Sequence, residues 1–269
     1  MSGATDALRS FVRDRAGINM GADKDYLIVA RLEPQLRGWG VSSLDSLAAR
    51  LRQQPSCTLA NEVVAALTIN ETLWFRDGKP FEMLSKVVLP EILVRQANDR
   101  TLAIWSAACS TGQEVYSIGM ALRDEAARLA GWNTSILGSD ISEPAVTRAR
   151  AGVYSQFEVQ RGLTIHRLVR HFDQVGADWR VRDELRSNIS FRVINLLSLP
   201  ALLGSFNVVF CRNVLIYFDV DTKARVLAAI GRRLRPGGFL LLGAAETTMG
   251  VTTAFAPVPG CPGLYRYAG

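Results

Sequence analysis

The sequence predicts an α/β protein in which a helical region precedes an open, mostly parallel sheet. Three observations predict it: the first 70 residues show helical periodicity only, short apolar runs alternate with helices from about residue 100, and residues 102–140 form a strand–turn–helix–strand unit. The second strand of that unit ends on Asp140. An acidic residue at this place is typical of sheets that bind the ribose of a nucleoside.

Composition narrows the class of protein further. At 269 residues the chain can form a main domain and a smaller one, and 48% of its residues are hydrophobic. No apolar run approaches the roughly 18 residues that span a bilayer, and the N-terminus lacks a signal-peptide core, so we expect a cytoplasmic protein. The four cysteines form no CxxC pair and there are two histidines, which predicts no metal site.

The net charge of +6 is concentrated in one segment. Residues 145–195 hold nine arginines against five acids. An acidic partner would be attracted there, although a solvated surface without a partner explains the same count. We see no basic stripe interleaved with aromatic residues, so no nucleic acid is expected.

The elements follow in chain order. Ser43 is the predicted N-cap of a helix, and three apolar faces predict N-terminal helices: Leu8, Phe11 and Val12; Leu44, Leu47 and Leu51; Val63, Val64 and Leu67. Strands are predicted at 102–107, 135–139, 189–194, 207–211 and 238–243, helices at about 113–130, 143–150 and 220–234, and an edge strand at 264–267. Residues 150–190 interrupt this alternation, and Trp179–Arg182 alternates as a half-exposed strand does, so we interpret the interruption as an insertion that carries the basic surface.

The turn after the first strand favours one cofactor over another. A dinucleotide fold needs G-x-G-x-x-G, whereas this turn contains only Gly112. S-adenosylmethionine (SAM) has no phosphate, and its ribose hydroxyls need acceptors such as Glu114 and Asp140. Taken singly, Asp140 could instead be a helix N-cap beside Ser142, and Glu114 an exposed acid in the first turn of a helix.

Two further segments place polar residues where a ligand would lie. Arg212 and Asn213 follow a buried strand, at the sheet edge where open α/β folds bind ligands. Residues 70–77 join the helical region to the sheet and contain Trp74 and Phe75, which we expect to be anchored in a core.

With these motifs the chain resembles the CheR family of chemotaxis receptor glutamate methyltransferases. The matching motifs are N-E-T-x-x-F-R-D (70–77), W-S-A-A-C-S-T-G-Q-E-x-Y-S (105–117), S-D-I-S (139–142) and C-R-N-V-L-I-Y-F-D (211–219). The resemblance covers nearly the whole chain. It implies a Rossmann-like class I methyltransferase sheet with an N-terminal helical domain and a small inserted antiparallel β-subdomain. The implied divisions are 1–70 for substrate recognition, 71–99 for the linker and first helix, and 100–269 for SAM binding, with the insertion at about 152–190.

The resemblance also implies a set of site residues. Arg76 and Tyr217 would be catalytic, with Tyr217 near the transferred methyl group. The residues implied to bind SAM, or its product S-adenosylhomocysteine (SAH), are Asn70, Thr72, Arg76, Glu114, Asp140, Asn195, Leu196, Arg212 and Asn213. From the residues alone, Tyr217 could equally be a core aromatic, and Arg76 could pair with Asp77.

The implied substrates are the cytoplasmic helices of methyl-accepting chemoreceptors. Arg31 and Arg37 would bind them, although Glu33 and Arg37 could simply pair with each other, and Pro34 should break the helix that carries them.

Glutamate is already an anion at neutral pH, so no general base is required. A departure from some members is Gly243–Glu246, where they carry a histidine and a serine.

Some relatives also bind a receptor's C-terminal peptide on the β-subdomain. The arginines Arg180, Arg182 and Arg186 permit that, or form a solvated strand edge. We expect a monomer without membrane insertion, because no exposed apolar stripe is evident. The alternatives to glutamate methylation are a methyltransferase for another acceptor and a signalling adaptor that binds the cofactor without catalysis.

Overall fold

The structure, a computed structural model, describes residues 2–269. Its helices are α1 (Ser2–Ala16), α2 (Asp25–Leu32), α3 (Leu44–Gln53), α4 (Thr58–Leu67), α5 (Lys79–Met83), α6 (Leu89–Arg95), α7 (Gln113–Asp124), α8 (Glu143–Ala151), α9 (Gln156–Gln160), α10 (Ile165–His171), α11 (Asp183–Arg186) and α12 (Val220–Gly231). Its strands are β1 (Thr101–Ala107), β2 (Asn133–Asp140), β3 (Val153–Ser155), β4 (Phe172–Val175), β5 (Asp178–Val181), β6 (Ile189–Val193), β7 (Phe206–Cys211), β8 (Leu234–Leu242), β9 (Phe255–Pro257) and β10 (Leu264–Tyr267). Within these residues, no helix is both long and apolar enough to cross a bilayer.

Helices α1–α4 pack around an apolar core of their own, in which Leu8, Leu47 and Val63 are fully buried. The predicted N-cap is confirmed, because the Ser43 hydroxyl accepts from the Ser46 amide at 3.1 Å and Ser46 Oγ accepts from the Ser43 amide at 3.0 Å. The predicted helix break is confirmed as well. Helix α2 ends at Leu32, and Pro34 lies in the short 3-10 turn that follows.

The main sheet has the order β6-β2-β1-β7-β8-β10-β9. Strands β6, β2, β1, β7 and β8 are parallel, and β10 is antiparallel to both of its neighbours. Apolar side chains alternate between the two faces: Ile104 packs beneath α6 and α7, whereas Trp105 packs beneath α12. The predicted α/β class and the Rossmann-like sheet are thus confirmed.

The end of the chain departs from its prediction in one respect. Strand β10 forms at 264–267, but its predicted edge position is wrong, because β9 pairs along its outer side. Strand β9 spans three residues and includes Pro257, so it is too short for alternation to be detected, and proline suits an outer strand. Helix α7 also ends earlier than predicted, at Asp124 instead of about 130, and Leu129 in the turns that follow packs into the core.

A small antiparallel sheet of order β3-β5-β4 lies between α8 and β6 in the chain. Its core contains Trp74, which comes from the linker and is fully buried. The Trp74 ring contacts those of Tyr154 and Phe172 edge-on, with centroids 4.8 and 5.3 Å apart. The linker is therefore anchored to the inserted sheet, as its aromatic residues predicted.

The arginines of this small sheet are largely paired. Arg180 lies on β5, the central strand, so the interpretation of that arginine as part of a sheet edge is wrong. It pairs with Asp183 at 3.5 Å, and Arg182 pairs with Asp173 at 2.9 Å. Arg186 also pairs with Asp183, at 3.3 Å. Exposed pairs of this kind contribute about 0–1 kcal/mol each.

Candidate functional site

A pocket lies at the carboxyl ends of β1, β2 and β7, where the strand order reverses on either side of β1. The turn after β1 is strained: Ala108 and Ser110 both have positive φ, at 60° and 51°. Asp140, at the end of β2, stabilises this turn, since its Oδ2 accepts from the Ser110 amide at 2.8 Å. Ala108, Ser110 and Asp140 all line the pocket.

Asp140 holds two backbone segments together. Its second oxygen accepts from the Ser142 amide at 2.9 Å, and burial raises the pKa of the carboxyl against the effect of the amides around it. The interpretation of Asp140 as the N-cap of α8 is wrong. That cap is Ser142, whose hydroxyl accepts from the Ala145 amide at 3.4 Å.

Beneath the pocket, Arg212 forms a charged network with two acids. Its Nη1 donates to Glu114 at 2.8 Å and its Nη2 to Asp77 at 2.5 Å. The Arg212 side chain is 1% exposed and that of Glu114 13%, so Glu114 is not the exposed first-turn acid of the alternative interpretation. Ser106 Oγ donates to the second oxygen of Glu114 at 2.8 Å. Among the described residues the buried Arg212 Nε has no hydrogen-bond partner.

The linker residues also face this pocket. Asn70, Thr72 and Arg76 line it, and the Asn70 carbonyl accepts from Ser110 Oγ at 2.7 Å. The predicted alternative for Arg76, an ion pair with Asp77, is wrong. Asp77 pairs with Arg212, whereas Arg76 Nη1 donates to the carbonyl of Glu71 at 3.3 Å.

The opposite wall comes from the segments after β6 and β7. Asn195, Leu196, Asn213 and Tyr217 line it. The Asn195 side chain donates to the Arg15 carbonyl at 2.7 Å, and the Tyr217 carbonyl accepts from the Asn19 amide at 2.8 Å. Burial raises the pKa of Tyr217, so its phenol is neutral at pH 7. Tyr217 lines the pocket and also packs on the apolar core, so the interpretation as a core aromatic holds in part and the catalytic role stays a prediction.

The N-terminal helices supply lining residues that sequence reasoning missed. Asn19, Met20 and Lys24 belong to this group, and no chemical motif in the segment between α1 and α2 marks them. Of the two arginines predicted to bind substrate, Arg31 lines the pocket and Arg37 is exposed outside it.

The bonds of these two arginines differ as well. Arg31 Nη1 donates to the carbonyls of Leu67 and Thr68 at 3.0 and 3.1 Å, which ties α2 to the end of α4. Over residues 2–269, no ion pair joins Glu33 to Arg37. The suggested Glu33–Arg37 pair is therefore wrong.

Backbone strain is concentrated at this site. Of the six described non-glycine residues with positive φ, three line the pocket, Ala108, Ser110 and Asn213, and two flank Arg76, namely Phe75 and Asp77. Strain of this kind persists where surrounding contacts hold the backbone for function. The pocket is thus a preorganised site, to which each of the four motifs contributes lining residues.

The two histidines lie away from this pocket. His166 and His171 belong to α10, outside the pocket, and burial lowers the pKa of His171. Over residues 2–269, no group of three or more histidines, cysteines or acids has the arrangement to hold a metal ion. The four cysteines are free thiols, and Cys109 and Cys211 are buried.

Comparison with known proteins shows the family of this chain. A family model described as "CheR methyltransferase, SAM binding domain" matches residues 70–262, and one described as "CheR methyltransferase, all-alpha domain" matches residues 4–68. The chain belongs to the CheR methyltransferase family. It is therefore a SAM-dependent methyltransferase. The donor set fits this cofactor, because the carboxylates of Glu114 and Asp140 line the pocket at the sheet edge and could accept from ribose hydroxyls.

Curated relatives agree over nearly the full length. The chain is 41% identical to "Chemotaxis protein methyltransferase Cher2" of Pseudomonas putida over 267 residues, covering 98% of this chain and 97% of that protein. It is 42% identical to "Chemotaxis protein methyltransferase 1" of Pseudomonas aeruginosa, covering 97% and 96%. It is 40% identical to a "Chemotaxis protein methyltransferase" of Vibrio parahaemolyticus, covering 94% and 92%.

Proposed function

We propose that the protein transfers the methyl group of SAM to glutamate side chains on the cytoplasmic helices of methyl-accepting chemoreceptors. The names of its relatives support a role in chemotaxis. The observation that carries the choice of acceptor is the absence of a free base. Among the described pocket residues there is no histidine, and the carboxylates of Glu114 and Asp140 already accept hydrogen bonds from protein groups. The third carboxylate that lines the pocket, Glu71, pairs with Arg161 at 3.0 Å.

A carboxylate acceptor explains why such a site suffices. Bound SAM supplies a methyl group on a positively charged sulfur. Glutamate has an ordinary pKa of about 4.3, so it arrives as an anion and needs no deprotonation. The opposite charges of the reactants disappear as the methyl group moves, so placement and exclusion of water help more than strong hydrogen bonds to the carboxylate.

Arg76 and Tyr217 are the proposed catalytic residues. Both line the pocket, and neither is fully buried. The neutral Tyr217 phenol donates a moderate hydrogen bond, which orients a reacting group without holding it in the reactant state. Arg76 provides positive charge beside the acceptor glutamate. The residues that bind the cofactor in this proposal are Asn70, Thr72, Arg76, Glu114, Asp140, Asn195, Leu196, Arg212 and Asn213.

Receptor recognition is assigned to residues 1–70. Lys24 and Arg31 line the pocket on this side, so the entrance for a glutamate-bearing helix carries positive charge. A receptor's C-terminal peptide would bind along an edge of the small antiparallel sheet, where β3 and β4 are the outer strands. The predicted role of Arg37 requires that the receptor also contact the exposed turn after α2.

Methyl transfer from tritiated SAM to purified receptor cytoplasmic fragments tests this function. A methyl ester of glutamate releases its label in mild base, so we expect base-labile label on the receptor. A receptor fragment whose acceptor glutamates are replaced with glutamine is the matched control and should stay unlabelled. Label that resists base, or that appears only on other proteins, would contradict the proposal in favour of another acceptor. SAH binding without any transfer would indicate an adaptor.

A further inference from the structure

Glu246 lies in the loop after β8, outside the pocket, and its carboxylate is buried, with 8% of the residue exposed. Four backbone amides converge on it. Oε2 accepts from the amides of Asn213 and Gly243, both at 2.7 Å, and Oε1 accepts from those of Val214 and Leu215, at 2.9 and 2.7 Å. Over residues 2–269, no arginine or lysine forms an ion pair with it. The amides alone therefore compensate its charge.

Three of these amides are consecutive and belong to the segment that forms one wall of the pocket. This segment follows β7 and carries Asn213 and Tyr217, both of which line the pocket. Asn213 has a φ of 58°, a conformation that a non-glycine residue adopts at a cost. Without the carboxylate, three neighbouring N–H groups would lose their partner, and the amide of Leu215 would lose it in the buried core. The conformation of the wall therefore depends on Glu246.

The carboxylate of Glu246 packs closely against Gly243, where a larger residue would not fit without movement. A Cβ atom at Gly243 would lie 2.7 Å from Glu246 Oε2 and 2.8 Å from Asn213 Nδ2. A side chain at position 243 would therefore displace the carboxylate, the wall, or both. Glycine at 243 and glutamate at 246 act as one unit, although they are three residues apart and neither touches the pocket.

We propose that Glu246 is a positioning residue for methyl transfer: its carboxylate holds the backbone of 213–215 so that Asn213 and Tyr217 face the cofactor. The proposal rests on the assignment of these two residues to the SAM site. It extends that site by one residue that makes no contact with the ligand. The glutamine variant tests it closely, because the side-chain NH₂ group would face two N–H donors in place of one oxygen.

The experiment compares Glu246→Gln with Glu62→Gln, which removes the same charge from an exposed position on α4. SAH binding is measured by calorimetry at 20 °C, and the melting temperature of each variant is measured in parallel. We expect Glu246→Gln to remain folded at 20 °C and to bind SAH more than threefold more weakly, on the order of tenfold, because the released 213–215 backbone no longer holds Asn213 and Tyr217 towards the cofactor. Glu62→Gln should bind as the wild type does.

An SAH affinity in Glu246→Gln within threefold of wild type would overturn the proposal, even if the melting temperature falls, because a purely structural role lowers stability without changing the folded site. If Glu246→Gln does not fold, SAH binding is measured with Gly243→Ala instead. Weakening by more than threefold supports the proposal, and an affinity within threefold of wild type overturns it. Transfer kinetics add a second readout: the KM for SAM should rise while the KM for the receptor fragment stays constant. SAH binding needs no acceptor, so failure of the glutamate assignment would leave this test intact.

Discussion

Replacing Glu114 with glutamine should remove a buried ion pair and a measurable part of the stability. The side chains of Arg212 and Glu114 are 1% and 13% exposed, so water compensates neither charge well. In Glu114→Gln, Arg212 keeps Asp77, whose side chain is 42% exposed. Breaking a buried pair from one side costs about 3–5 kcal/mol. We expect the lower end, about 3 kcal/mol, because Asp77 still compensates part of the charge.

Thermal unfolding measures this loss directly. Chains of comparable size lose about 2–4 °C of melting temperature per kcal/mol, so Glu114→Gln should melt roughly 6–12 °C below wild type. The matched control is Glu82→Gln, since Glu82 pairs with Lys86 on the surface and their side chains are 64% and 75% exposed. Exposed pairs contribute about 0–1 kcal/mol, so the control should melt within about 4 °C of wild type. A Glu114→Gln shift no larger than that of the control would refute the importance of the network.

Three further changes test other parts of the account. Arg76→Ala should lose methyl transfer yet melt like wild type, and Arg52→Ala, at an exposed position outside the pocket, is its control; normal turnover in Arg76→Ala would remove Arg76 from the mechanism. Trp74→Ala should cost about 3–5 kcal/mol in urea unfolding, because it empties the core that joins the linker to the small sheet; a loss below about 1 kcal/mol would contradict that anchoring. Burial raises the pKa of Asp140 above 3.8, and ribose hydroxyls bind the ionised form, so SAH affinity should fall as the pH drops from 7 towards that value. Asp140→Asn should bind weakly without this pH dependence, and an equally steep fall in the variant would assign the titration to another group.

The sequence predicts most of the main sheet because its signals are local. Runs such as 207–211 are apolar enough to be buried on both faces, and Ser43 and Pro34 act on their own helices. Strand β9 escaped detection because three residues carry no period. The resemblance implied the site residues. Of these, Arg37 lies outside the pocket and the others line it.

What the sequence does not predict are partners far apart in the chain. Asp77 and Arg212 are 135 residues apart, and Glu246 lies 33 residues beyond Asn213. Each of these acids has a nearer candidate role, as a surface acid or as the partner of a neighbouring arginine. Only the folded structure brings Asp77 to Arg212 and Glu246 to the backbone of 213–215.

The most direct test of the central claim is a crystal structure of the protein with SAH. The account predicts the adenosyl group between Asp140 and Asn195, and the sulfur close to Tyr217. SAH bound elsewhere on the surface, or bound in the pocket without contact to either Glu114 or Asp140, would contradict the assignment of the site.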